Sequence, residues 1–279
     1  MTTTLTVLAL LVAATAAIRS TWSPCGLSML STITPFGERA KGHRYRTTVT
    51  WFVLGATLGG LTLGSVAAGL AGLVRSSGPS ATDVGVCALA ATLAAAVSDT
   101  GLAGFRVPVH YRQVNERWLD AYRPWVYGFG FGLQIGCGVA TYITTAAVYL
   151  TVVLAALTAD PVTALAVGTG FGLLRGLTVT LTRRMGSPGA LLAFHRRFAA
   201  SLPWAERAVL GALLVTAAVL AQSVGPAYAG AVVAGVAVAT GSARLSTWAV
   251  RRGAGGSRNV VAGGSAGPAG EADRSVAVG

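Results

Sequence analysis

Several stretches of this chain run for 18 or more residues without a single charge. That is the length an α-helix needs to cross about 30 Å of hydrocarbon. The chain is therefore read as an all-α, polytopic membrane protein. Apolar residues make up 53% of it and charged residues only 11%. The 37 glycines would be many for a soluble domain, but they suit helices that pack closely inside a bilayer. A net charge of +12 suggests nucleic acid at first sight. Its distribution argues otherwise, because the basic residues are split among short loops and a tail, the pattern that orients membrane helices.

Seven spans are predicted, at about 5–36, 48–74, 82–104, 125–158, 161–182, 204–223 and 226–250. The first is expected to break near Ser23-Pro24. The run Leu5–Ile18 lacks a basic segment before it and is read as a retained helix, not a cleaved leader. Residues 105–124 mix Val109, Tyr111, Trp118, Leu119 and Tyr122 with polar and charged neighbours. That fits either a short helix on the membrane surface or an ordinary charged loop. Residues 251–279 are rich in Gly, Ala and Ser and read as a disordered tail.

Charge gives an orientation. Arg39, Lys41, Arg44 and Arg46 follow the first span, and Arg106, Arg112, Arg117 and Arg123 follow the third. Arg183, Arg184, Arg196, Arg197 and Arg207 follow the fifth, and Arg251, Arg252, Arg258 and Arg274 follow the seventh. The loops on the other side hold only Arg75. The expectation is a plasma-membrane protein with its N-terminus outside and its C-terminus in the cytoplasm.

An internal repeat is superimposed on the spans. Gly55 to Gly59 lies thirty residues after Cys25, and Gly168 to Gly172 lies thirty-one after Cys137. The two halves, 1–104 and 125–225, are expected to be inverted three-helix repeats. The segment 105–124 joins them, and 226–250 adds a seventh span. Cys25 lies 13 residues from Glu38, and Cys137 lies 14 from Arg123. On straight helices both thiols would sit about 20 Å from the cytoplasmic end, where they can meet at the repeat interface. Pro24 and Gly26 flank one thiol, and Gly136 and Gly138 flank the other. These residues free backbone groups that must then face protein or a wet cavity. Cys87 has no counterpart and reads as an apolar filler.

Other residues carry less. Gly55, Gly59, Gly168 and Gly172 are spaced for close helix packing or for a hinge. Asp99 and Arg175 fall at similar depth. They fit either an intramembrane ion pair or a gate on a polar pathway, or else a carboxylate that caps the end of the third span and a guanidinium that reaches to the cytoplasmic interface. The three histidines, His43, His110 and His195, all lie in loops. No metal-ligand spacing, nucleotide fingerprint or nucleophile elbow is present, so no cofactor is expected.

At Ser23-Pro24-Cys25, and at Cys137 with its approach Tyr127-Gly-Phe-Gly-Phe-Gly132, the chain resembles the CcdA/DsbD family of transmembrane thiol-disulfide reductases, the cytochrome c biogenesis transmembrane region. The resemblance covers about residues 5–225. It implies that cytoplasmic thioredoxin reduces a Cys25–Cys137 pair, which then reduces an extracytoplasmic thioredoxin-like partner. The same broad superfamily contains exporters of small solutes and metals. The alternative it implies is a permease with non-catalytic cysteines.

Overall fold

The computed structural model describes residues 2–101, 122–138 and 143–238. Every regular element among them is helical. Helix α1 (Thr2–Arg19) runs into a 3-10 turn, Ser20–Trp22. Two short helices follow, α2 (Pro24–Thr32) and α3 (Pro35–Ala40). Then come α4 (Tyr45–Ser77), α5 (Ala81–Thr100), α6 (Pro124–Gly136) and α7 (Ala147–Leu157). Helix α8 (Pro161–Leu177) continues as a 3-10 helix to Arg184, and α9 (Pro188–Ala200), α10 (Leu202–Val224) and α11 (Pro226–Val238) complete the set.

Four of these helices start in the same way. Ser23, Thr34, Asp160 and Ser187 each accept a hydrogen bond from a backbone amide of the first turn, and each is followed by proline. The side chain satisfies a donor that has no partner within the helix, and proline at the first position sacrifices an amide that would have had none. Ser80 and Asp83 form a reciprocal capping box at the start of α5. Gly78 and Gly101 end α4 and α5 in the left-handed conformation.

Helix α4 is the spine. Its Gly55 and Gly59 face α6, while Gly60 and Gly64 face α8. A Cβ built on Gly132 would lie 2.1 Å from the carbonyl oxygen of Phe52, and one on Gly136 would lie 2.0 Å from that of Ala56. The α4–α6 pairing advances in step, Gly128 on Thr48, Gly132 on Phe52 and Gly136 on Ala56, so the two helices are parallel. Helix α8 runs the other way: Gly176 meets Ala56, Gly172 meets Ala56 and Gly60, and Gly168 meets Gly64. One apolar cluster joins α1, α5, α7, α8 and α10, and a second gathers α2, α4 and α6 with Val179 and Phe198.

The span count differs from the expected seven. Among the described residues, five helices are long and apolar enough to cross a membrane: Thr2–Trp22, Tyr45–Ser77, Ala81–Thr100, Pro161–Arg184 and Leu202–Val224. The expected first span divides at Ser23. The expected fourth span divides after Gly136, where Gly138 takes φ +72° and α7 starts only at Ala147. Of the expected seventh span, Pro226–Val238 is described. Its remainder, the tail 251–279 and nearly all of the segment 105–124 lie outside the described residues.

Candidate functional site

Both helix interruptions carry a cysteine. Cys25 is the second residue of α2, in the turn where Ser23 Oγ accepts from the Gly26 amide at 3.2 Å. Gly26 is pressed against the preceding 3-10 turn, so a Cβ there would sit 2.2 Å from the Thr21 carbonyl oxygen. Cys137 stands at the other interruption, closing the end of α6 with its amide donating to Leu133 O at 3.1 Å. Gly59 of α4 lies directly beneath: its built Cβ would fall 2.7 Å from the Cys137 nitrogen. Cys25 is buried, Cys137 half-buried and Cys87 exposed, and none of the three is in a disulfide.

Arg175 lies against the interruption that follows α6. It is the largest fully buried side chain among the described residues, with only 2% of its surface exposed. Its Nη1 donates to the carbonyl oxygen of Ile135 at 2.7 Å, and Phe171 lies one turn back with its ring 6.0 Å from the guanidinium. Ile135 is in the last turn of α6, where its carbonyl also takes the Gly138 amide at 3.2 Å and the helix dipole favours a cation. The guanidinium also interacts electrostatically with both Cys25 and Cys137. Helix α8 thus brings one buried guanidinium to the break that follows α6.

Arg175 therefore does not reach out to the interface. Nor is Asp99 its partner: Asp99 accepts from Thr145 Oγ1 at 2.5 Å and from the Ala146 amide at 2.6 Å, capping the start of α7. Asp99 also lines a cavity of about 470 Å³ with Arg19, Thr144, Thr145, Glu206 and Arg207. Arg19 pairs with Glu206 across it at 3.1 Å.

A second buried ionisable side chain goes unread in the sequence. Glu38, on α3, is 1% exposed. Tyr127 Oη donates to both of its carboxylate oxygens, at 2.6 and 2.7 Å, and Thr48 Oγ1 donates to one of them. His43 Nδ1 lies 4.0 Å from the same carboxylate, and Lys41 Nζ sits 5.7 Å from the centre of the Tyr127 ring. In the sequence Glu38 stands beside Arg39 and Lys41, where it marks only the end of a span. Pro35-Phe-Gly preceding it is the one hint of a further turn of helix. Among the described residues no three His, Cys, Asp or Glu side chains group as a metal site.

Known proteins give a consistent comparison. The chain is 34% identical to methylamine utilization protein MauF of Paracoccus versutus over 165 residues, 58% of this chain and 60% of that protein. It is 30% identical to MauF of Paracoccus denitrificans over 197 residues, 70% of each chain. It is 32% identical to MauF of Methylobacillus flagellatus over 183 residues, 64% of each. The chain thus spans about three fifths to seven tenths of the relatives it matches. No family profile matches it, and no solved structure does.

These relatives overturn the resemblance drawn at Ser23-Pro24-Cys25 and what it implied. The chain is similar to MauF proteins and not to CcdA/DsbD reductases. The relay through Cys25 and Cys137, the link to cytochrome c biogenesis and the two thioredoxin-type partners fall with that resemblance. The alternative permease has no support from the relatives either. A short Ser-Pro-Cys motif misleads because a capping serine followed by proline is a general way to restart a helix. Three other helices in this chain start on a capping residue and proline with no cysteine after them.

Proposed function

The chain belongs to the MauF family, and from that premise we propose that it is a multi-pass membrane component of methylamine utilization that works through the Arg175 centre. The observation that carries the site is the burial of that guanidinium. A cation inside a bilayer is expensive, and such residues are functional candidates by default. Here the fold spends the C-terminal carbonyl of a broken helix on holding it. Cys25 and Cys137 flank it from the ends of α2 and α6. Pro24, Gly26, Gly136 and Gly138 shape the two interruptions, and Gly55, Gly59, Gly168 and Gly172 let α4, α6 and α8 approach closely enough to enclose it.

The reading includes an architecture. Seven spans would form two inverted three-helix repeats, 1–104 and 125–225, with one added span. Two features support it: the paired interruptions, and the glycines that α4 and α8 turn toward their neighbours.

Growth tests the function. In the organism that carries the chain, its deletion should abolish growth on methylamine as sole nitrogen source and leave growth on ammonium intact. Complementation with the wild-type chain should restore growth. Arg175→Met at equal membrane abundance should not, with growth reduced at least about tenfold by analogy with other buried intramembrane charges. A deletion strain that grows normally on methylamine would overturn the proposal. Full rescue by Arg175→Met would overturn the site.

A further inference from the structure

Glu38 is buried and unused by the centre just described, yet Tyr127, one of its partners, lies on α6, which helps to build that centre. We propose that Glu38 is a positioning residue that fixes the arm carrying Cys25 against the helix carrying Cys137; this rests on the reading of Arg175 as the working centre.

The chain between Trp22 and Tyr45 is an arm of two short helices with an elbow at Ile33-Thr34. Its near end carries Cys25, in the first turn of α2. An arm of nine and six residues has little helical stability of its own, so its position depends on what it touches. Two attachments lie beyond the cysteine. At the elbow, Thr182 Oγ1 donates to Ile33 O at 2.7 Å and lies 3.0 Å from Tyr45 Oη. Thr182 belongs to the 3-10 continuation of α8, seven residues after Arg175. At the far end, Glu38 takes the Tyr127 hydroxyl on both oxygens and Thr48 on one. Tyr127 lies ten residues before Cys137 on α6.

The Glu38–Tyr127 contact therefore closes a loop: Cys25, elbow, Glu38, Tyr127, α6, Cys137. A hydrogen bond to a buried acceptor is costly to break, because the group is then left without a partner. Lys41, over the Tyr127 ring, and His43, beside the carboxylate, come from the turn after α3 and surround the link. The Tyr127 hydroxyl carries the hydrogen-bonded bridge, and removing it cuts that bridge to α6 while leaving Thr48 in place.

The test reads the arm directly. The full-length chain carries Cys87→Ala and is kept in native membranes, and the rates at which N-ethylmaleimide modifies Cys25 and Cys137 are followed by mass spectrometry. A buried reporter made by Ala13→Cys on α1, in the other apolar cluster, records general loosening. Tyr127→Phe should raise the Cys25 rate about tenfold and leave the Ala13→Cys reporter within about twofold, the pattern of a local opening. Glu38→Asp, too short to keep both tyrosine contacts, should do the same. Glu38→Gln keeps an acceptor for Tyr127 and should stay within about threefold of wild type.

An unchanged Cys25 rate in both Tyr127→Phe and Glu38→Asp would overturn the proposal. So would a rise shared equally by the reporter. Should Tyr127→Phe fail to accumulate, Glu38→Asp decides alone. The readout is independent of growth. Labelling that moves in a chain dispensable for methylamine growth would leave the strut standing and remove the functional reading. Labelling that does not move, with growth lost in Arg175→Met, would do the reverse.

Discussion

At the scale of single residues, charge placement decides what each ionisable group does. Asp160 caps α8, with Thr163 Oγ1 at 2.5 Å and the Thr163 and Val162 amides on its carboxylate oxygens. The Thr163 hydroxyl first, then the Thr163 amide, hold its pKa below the ordinary aspartate value, with a smaller contribution from Arg75. A carboxylate with a depressed folded-state pKa adds stability above its unfolded pKa and loses it as pH falls through the folded value. The start of α8 should therefore hold its amide-exchange protection through mildly acidic pH and lose it only as the pH falls below the ordinary aspartate range. Asp160→Asn should remove that acid-side step, and an identical acid profile in the variant would refute the assignment. Exposure keeps the effect local. Such a cap is readable in sequence, because Asp-Pro before an apolar run has one common meaning. Arg175 and Glu38 are not readable. A guanidinium eight residues from Arg183 on an apolar helix looks the same whether it reaches for the interface or turns inward, and the partner that decides is a backbone carbonyl forty residues away. Side-chain identity carries no trace of such a contact.

At the scale of elements, the bundle depends on where backbone meets backbone. The glycine pairs at 55/59 and 168/172 are legible from their spacing, as are the interruptions at Ser23-Pro24 and at the glycines around Cys137. The stripe Gly128, Gly132 and Gly136 on α6 is not. Interleaved phenylalanines obscure its four-residue period, so in the sequence it reads only as an approach to the cysteine. Its role emerges from the parallel seat on α4. That seat makes a sharp contrast within one residue type. A methyl group on Gly132 would meet the Phe52 carbonyl oxygen at 2.1 Å, a backbone atom that cannot swing away, whereas Gly170 on α8 has nothing within 4 Å. Gly132→Ala should destabilise the detergent-solubilised protein by more than about 2 kcal/mol through overpacking. Gly170→Ala should be neutral or stabilise by about 0.5–1 kcal/mol through helix propensity. Thermal unfolding followed by circular dichroism compares them directly, and equal melting temperatures for the two variants would contradict the parallel α4–α6 contact.

At the scale of the molecule, helix directions and loop charges group the same arginines by separate routes. Because α6 runs parallel to α4 and α8 runs against both, the start of α4, the start of α6 and the end of the α8 extension share one end of the bundle. Arg44, Arg123, Arg183 and Arg184 stand at those three points. At the other end, Arg75 on the last turn of α4 is the charge that Asp160 feels across from the start of α8. Counting spans along the sequence groups the same arginines without knowing which helices touch. Basic loops are retained in the cytoplasm, so the end bearing Arg44, Arg123, Arg183 and Arg184 should face inward and the α4–α5 turn should face outward. Alkaline phosphatase, active only outside the cytoplasm, should be active when fused after Pro79 and silent when fused after Gly42 or Gly186. Green fluorescent protein at the same sites should give the opposite pattern. An active phosphatase at Gly186 together with a silent one at Pro79 would invert the molecule. It would also place Glu38 and the arm it holds on the outer side of the membrane, exchanging the compartment from which the Arg175 centre is approached.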